Sequence, residues 1–315
     1  MPDPSPPATS KLRSCLQLCR IPNVFTAAAD VLMGYLFTHS SLEPWRFSLP
    51  LVAASCLLYT AGMVLNDVFD LDIDARERPH RPLPSGRISP RVAGWLGAEL
   101  MLMGTAAGWI TSSLAGEYRT GLAATALAAA VLLYDRWLKR TPLGPLSMGS
   151  CRFLNVLLGM SLAAGPWVAP HYLIAAGIGT YIVGVTWFAR TEAQTSNRWQ
   201  LLASTVVMGL GIACLAYYPQ MADELPDVSN PARFAPPGRW PYLCGMIGLV
   251  IGSRCVRAIA NPTPQSVQMA VKSCIFSLIT LDALVCFSVR GIGWAAIILL
   301  LLLPTMFLGR WIYST

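Results

Sequence analysis

Apolar residues run along this chain in long unbroken blocks, and polar residues collect in the gaps between them. A helix needs about 20 consecutive apolar residues to cross a bilayer. Blocks near that length cover approximately residues 22–39, 47–66, 92–112, 120–135, 145–164, 171–189, 201–218, 240–258, 269–289 and 292–312. The pattern predicts ten membrane helices. Block 120–135 is short, and little more than Arg290 and Gly291 parts the last two, so nine and ten passes both stay open.

Composition agrees with this reading. Of 315 residues, 54% are hydrophobic and only 12% charged, about half the charged share of a soluble domain. So few charges exclude a soluble enzyme, and they exclude a nucleic-acid-binding protein despite a net charge of +7. Basic residues instead mark one side of the membrane. With the N-terminus cytoplasmic, 17 of the 23 Lys and Arg fall on the inner side and five on the outer, with Arg152 inside a span. That bias is the positive-inside signature, and it predicts a multi-pass protein of the inner (cytoplasmic) membrane. Residues 1–20 contain prolines and no apolar leader core, so they read as a disordered cytoplasmic tail before one transmembrane domain, 21–315. The nine cysteines form no C-x-x-C, and the three histidines stand far apart, which argues against zinc and disulfides.

Two loops interrupt the apolar pattern. Residues 219–239 carry Asp223, Glu224, Asp227 and five prolines, and read as a solvated outer connector. Residues 67–91 form a long charged loop on the inner side. On a helix, Asn66, Asp67, Asp70 and Asp74 fall at roughly 0, 100, 40 and 80°, while Asp72 points away at about 240°. Like charges stacked this way oppose helix formation, so helix stability does not explain them. Two explanations fit: a solvated helix end whose acids pair with Arg76, Arg78 and Arg81, or a Mg²⁺ site. Mg²⁺ takes hard oxygen ligands and commonly completes its shell with substrate phosphates. Neighbouring arginines supply the charge and forked donors that a diphosphate needs. Within the spans, Asp30, Glu99, Arg152 and Asp282 are expensive in hydrocarbon, and each is expected to face the bundle interior.

The run Asn66-Asp67-x-x-Asp70-x-x-x-Asp74, followed by Arg81-Pro82-Leu83-Pro84-Ser85-Gly86-Arg87, resembles the first signature of the UbiA superfamily of intramembrane prenyltransferases. Arg20-Ile21-Pro22-Asn23 is similar to that family's opening motif, and Lys139-Arg140-Thr141 and Arg152-x-x-Asn155-x-x-x-Gly159 fit further positions. The likeness runs from about residue 20 to 290. It implies an all-α bundle of nine to ten membrane helices around a central cavity that opens to the cytoplasmic side. It also implies Mg²⁺-dependent transfer of a prenyl group from its diphosphate to a small or lipidic acceptor. Carried onto this chain, Asn66, Asp67, Asp70 and Asp74 would hold Mg²⁺, with Asp67, Asp70 and Asp74 catalytic. Arg81, Lys139 and Arg140 would steady the diphosphate, and Asn23, Arg152 and Asn155 would line the cavity.

One motif departs from the family. A second acidic motif should follow the sixth span, but this chain has Arg190-Thr191-Glu192-Ala193-Gln194 there. Glu192 is the one carboxylate left for a second Mg²⁺, and Arg190 would take over part of the charge neutralisation. This change, the stretch Ala260–Gln265 and the added last span resemble the EboC-like branch of the superfamily. The departure leaves a second reading: a non-catalytic or transport-associated protein that binds a prenylated or phosphorylated lipid.

Overall fold

A computed structural model describes residues 11–192, 195–231 and 234–312. Its helices are α1 (Lys11–Leu18), α2 (Ile21–Thr38), α3 (Trp45–Phe69), α4 (Leu71–Glu77), α5 (Pro90–Ala115), α6 (Arg119–Arg136) and α7 (Gly144–Gly159). They continue as α8 (Ala169–Ala189), α9 (Arg198–Tyr217), α10 (Trp240–Ala260), α11 (Pro264–Arg290), α12 (Ile292–Leu299) and α13 (Leu302–Trp311). Among the described residues there is no strand.

Each of the ten apolar blocks is helical, and the last is interrupted at Leu300–Leu301. Seven stretches, taking α12 and α13 together, are long and apolar enough to cross a membrane, and the protein is an integral, multi-pass one. Proline sets many of the starting points. Pro22, Pro90, Pro145, Pro170, Pro241 and Pro264 stand in the first turns of α2, α5, α7, α8, α10 and α11, where an absent N–H costs nothing.

Burial orders the bundle from centre to rim. The span at α2 is 78% buried, whereas α10 is 22% and the α12–α13 stretch 17%. Helix α2 packs against α3, α7, α11 and α13. Outer helices turn large apolar side chains such as Leu249, Val250 and Leu303 outward, which only a lipid environment tolerates in such number. Two glycines bring α2 and α7 into backbone contact: a Cβ on Gly34 would lie 2.7 Å from the Val156 carbonyl oxygen, and one on Gly159 would lie 2.5 Å from that of Val31. This close approach sets Asp30 beside Arg152 and Asn155.

Four expectations need correction. The tail read as disordered over residues 1–20 holds helix α1, whose Ser14 and Leu18 are buried; residues 1–10 lie outside the described part. The charged inner loop is a folded cap, because its Leu83 packs with Leu18, Val64 and Ala93 in a small apolar cluster of its own. The outer loop is likewise partly packed, with Leu225, Ser229 and Ala235 buried and the Ser229 hydroxyl donating to the Phe37 carbonyl. Glu99, expected to face inward, lies exposed on α5, whose buried face is built from Ala93, Gly97, Met101, Gly104 and Gly108.

Candidate functional site

The start of α2, the end of α3, the turn between α6 and α7 and the end of α8 meet at one end of the bundle. The acids of the first motif stand there, but on no single helical face. Helix α3 ends at Phe69, and Asp70, with φ −98° and ψ 6°, interrupts the helix before α4 begins at Leu71. Across this break Asp67 and Asp74 converge on Arg81, while Asp70 pairs elsewhere.

Asp67 Oδ1 accepts from Arg20 Nη2 at 2.9 Å and lies 3.5 Å from Arg81 Nη1. Asp74 Oδ2 accepts from the same Arg81 nitrogen at 2.6 Å. The Asp67, Asp74 and Arg81 side chains are all nearly enclosed, at 6–7% exposure, so this is a buried ionic knot and not a solvated helix end. Asp70 turns the other way, to Lys139 Nζ at 2.7 Å and Arg140 Nη2 at 3.0 Å. Arg140 also donates to the Phe69 carbonyl, which fixes the turn after α6 to the end of α3. Asp72, on α4, is exposed.

Asn66 does not join this network through the bond it makes. Its amide nitrogen donates to Asp135 Oδ1 on α6 at 3.0 Å, and the second Asp135 oxygen is buried without a partner. Of the expected set, Asn66 is thus held on Asp135, Asp67 and Asp74 share Arg81, and Asp70 pairs with Lys139 and Arg140. Among the described residues, no three acids, cysteines or histidines gather as a ready metal cluster.

The altered second motif reaches the same mouth. Arg190 is exposed and donates to the Thr141 carbonyl, beside Lys139 and Arg140. Glu192 is half-buried; burial raises its pKa above the ordinary glutamate value, and Arg78, Arg20 and Arg81 oppose that rise. Gln194 lies outside the described residues. Burial, together with the nearby positive Arg20, lowers the Arg81 pKa, while Asp67 and Asp74 pull the other way. Burial also disfavours the charged Arg20, but Asp67 outweighs it and leaves the Arg20 pKa raised.

Arg152 and Asn155 are not at this mouth. They lie deeper between α2 and α7, on Asp30, with Arg152 Nη1 and Asn155 Nδ2 each 2.9 Å from Asp30 Oδ2. Tyr59 links the two regions, because it lies near Arg20 and its ring centroid is 5.2 Å from the Arg152 guanidinium; Asn23, on the first turn of α2, is close to Tyr59. Sequence reading missed Arg20 as a partner of the acids, along with Tyr59 and Asp135. Arg20 carries a signal of its own, a left-handed φ of 45° that aims a non-glycine residue at Asp67, but only coordinates reveal it.

Comparisons with known proteins fit this arrangement. The sequence profile of the UbiA prenyltransferase family matches residues 27–198, more than half of the chain. Digeranylgeranylglyceryl phosphate synthase of Methanopyrus kandleri is 33% identical over 163 residues, which is 50% of this chain and 57% of that protein. The synthase of the same name from Sulfolobus acidocaldarius is 36% identical over 128 residues, 39% of this chain and 42% of that protein. The chain thus spans about half the length of the curated relatives it matches. A UbiA homologue from Archaeoglobus fulgidus, solved with DMAPP and Mg²⁺, superposes with a TM-score of 0.60 at 15% identity, covering 85% of this chain and 99% of that one. A structure from work on digeranylgeranylglyceryl phosphate synthase in membranes gives 0.60 at 20% identity, over 92% of this chain and 99% of that one. At these identities the likeness establishes the fold.

Proposed function

The chain belongs to the UbiA prenyltransferase family, and from that premise we propose that it transfers a prenyl group from a prenyl diphosphate to an acceptor within the membrane. The allylic C–O bond breaks with its electron pair leaving on diphosphate, the acceptor's nucleophilic atom bonds the freed carbon, and the acceptor's proton is released. The observation that carries this reading is the gathering of Arg20, Arg81, Lys139 and Arg140 around Asp67, Asp70 and Asp74 at one end of an apolar bundle. Four cations among three acids leave positive charge for an anion, and fixed guanidinium forks match phosphoryl oxygens.

The donor set fits Mg²⁺ by its chemistry, since all the acids at the mouth offer hard carboxylate oxygens. Asp67, Asp70 and Asp74 would hold the ion, with Glu192 the one carboxylate contributed by the second motif. Bound there, Mg²⁺ would supply Lewis-acid neutralisation of the leaving diphosphate. Arg81 and Arg20 would then pass from their carboxylates to diphosphate oxygens, and Lys139 and Arg140 would steady it from the turn after α6. Arg190, at the Thr141 carbonyl, stands where it can neutralise charge that a second metal would otherwise meet. The apolar helices exclude water from the prenyl tail. The chain lies in the inner membrane with its N-terminus and this mouth cytoplasmic, on the strength of the Lys and Arg bias.

A second reading, a lipid-binding protein without turnover, is favoured by Arg190 and Gln194 standing where the family's second motif has acids, a change that resembles the EboC-like branch. Labelled C10 to C20 prenyl diphosphates supplied with Mg²⁺ to the detergent-solubilised protein separate the two. Release of diphosphate supports transfer, and saturable binding with no release supports the second reading.

A further inference from the structure

Midway through the bundle, four helices bring buried polar groups together. Asp30 comes from α2, Ser55 from α3, Arg152 and Asn155 from α7, and Asp282 from α11; both aspartates are fully buried. Most of the donors are accounted for. Arg152 Nη1 and Asn155 Nδ2 bond Asp30 Oδ2, Arg152 Nη2 donates to Thr26 Oγ1 at 2.8 Å, and Ser55 Oγ donates to Asn155 Oδ1 at 2.7 Å. Three oxygens remain buried with no N–H or O–H donor: Oδ1 of Asp30 and both oxygens of Asp282. Yet the two carboxyl groups are within hydrogen-bond reach of each other.

An ionised carboxylate only accepts, so two of them cannot bond each other without a hydrogen between them. Ionising both would also place two negative charges against one guanidinium in the low-dielectric interior. The other titratable groups facing the pair are Tyr59 on α3 and Cys286 on α11, and neither brings positive charge. We propose that Asp30 and Asp282 form a binding site for one proton, held between their carboxyl groups. Asp282, as the neutral acid, donates to Asp30 Oδ1; Asp30 stays ionised against Arg152 and Asn155. The proton ties α11 to the α2–α7 pair and keeps Arg152 committed to Asp30 and Thr26. This assignment is independent of the proposed prenyl transfer.

Infrared spectroscopy of the full-length protein in lipid vesicles tests it at neutral pH. With aspartate carboxyls labelled by carbon-13, the protein should show a protonated-acid C=O stretch that moves with the label and again in D₂O. Asp282→Asn, which keeps the shape and can still donate to Asp30, should remove one such band. Asp135→Asn controls for the other buried acid with an unpaired oxygen and should leave that band in place. No protonated aspartate in the labelled wild type overturns the proposal, a reading that needs no variant to fold. A band that survives Asp282→Asn overturns it too. The proposal also fails if sodium, compared with choline at equal ionic strength, raises the melting temperature of the wild type and not of Asp282→Asn, because a metal cation would then fill the place of the proton.

Discussion

The mouth of the bundle and its middle solve opposite problems of charge. At the mouth, Arg20, Arg81, Lys139 and Arg140 stand among Asp67, Asp70 and Asp74, so cations outnumber acids. In the middle, Asp30 pairs with Arg152 and the buried Asp282 has no cation of its own, so acids outnumber cations. Solvent reaches part of the mouth, where Arg140 is half open although Asp67, Asp74 and Arg81 are enclosed, whereas in the middle Asp30 is fully enclosed. A cationic surplus near water is suited to an incoming anion and can rearrange around it. An acidic surplus in hydrocarbon has no such freedom and calls for the smallest counterion available. The mouth is thus built for exchange of partners and the middle for permanence.

Substitutions at the two regions should fail in different ways. The largest effect falls on turnover: Asp67→Ala and Asp70→Ala should each lower diphosphate release by about 10²–10³-fold, the usual cost of removing one fixed electrostatic group at a reacting centre. Full activity in both would remove the mouth from the chemistry. In the middle the loss should be of stability. Arg152→Met leaves Asp30 buried without its cation and should cost about 3–5 kcal/mol in denaturant unfolding in micelles. A wild-type midpoint there would erase the contrast between the regions. Arg81→Ala should lose less, about 1.5–3 kcal/mol, since Asp67 keeps Arg20 and only Asp74 loses its charged donor. The same variant should bind inorganic diphosphate more weakly, which no substitution in the middle should do.

Gly34→Ala tests the helix contact on which the middle depends. Its new methyl would meet the Val156 carbonyl at 2.7 Å, and a destabilisation of about 1–3 kcal/mol is expected from such overpacking. The smallest effect belongs to Glu192. Burial raises its folded pKa above that of the unfolded chain, so the folded state binds this proton more tightly and loses that stability as pH rises through the raised value. Glu192→Gln should therefore melt slightly higher than wild type at neutral pH and equally at acidic pH, below the ordinary glutamate value. A difference independent of pH would mean that Glu192 acts through shape and not charge.

Much of this molecule was legible from residue order. Lipid demands long apolar runs, so all ten blocks appear as helices, and first-turn prolines mark many of their starts. The acids of the first motif and the basic residues after it were legible as candidates because their types and spacing are unusual near a membrane. Their geometry was not. The helical projection placed Asn66 and Asp74 on one face, but α3 stops at Phe69, and a turn at Asp70 cancels the projection.

The amino-acid sequence by itself determined the membrane architecture, the chemical character of the mouth and the presence of costly charges inside the spans, because each follows from local composition and helical period. Tertiary structure decided which charge meets which. Lys139 lies 69 positions from Asp70, and Arg152 lies 122 from Asp30. Such pairs depend on how helices pack, on a Gly34–Gly159 contact and a bend at Asp70. No local period records those, because they arise from the shape of side chains on different helices and the low dielectric that forces buried charges to find each other.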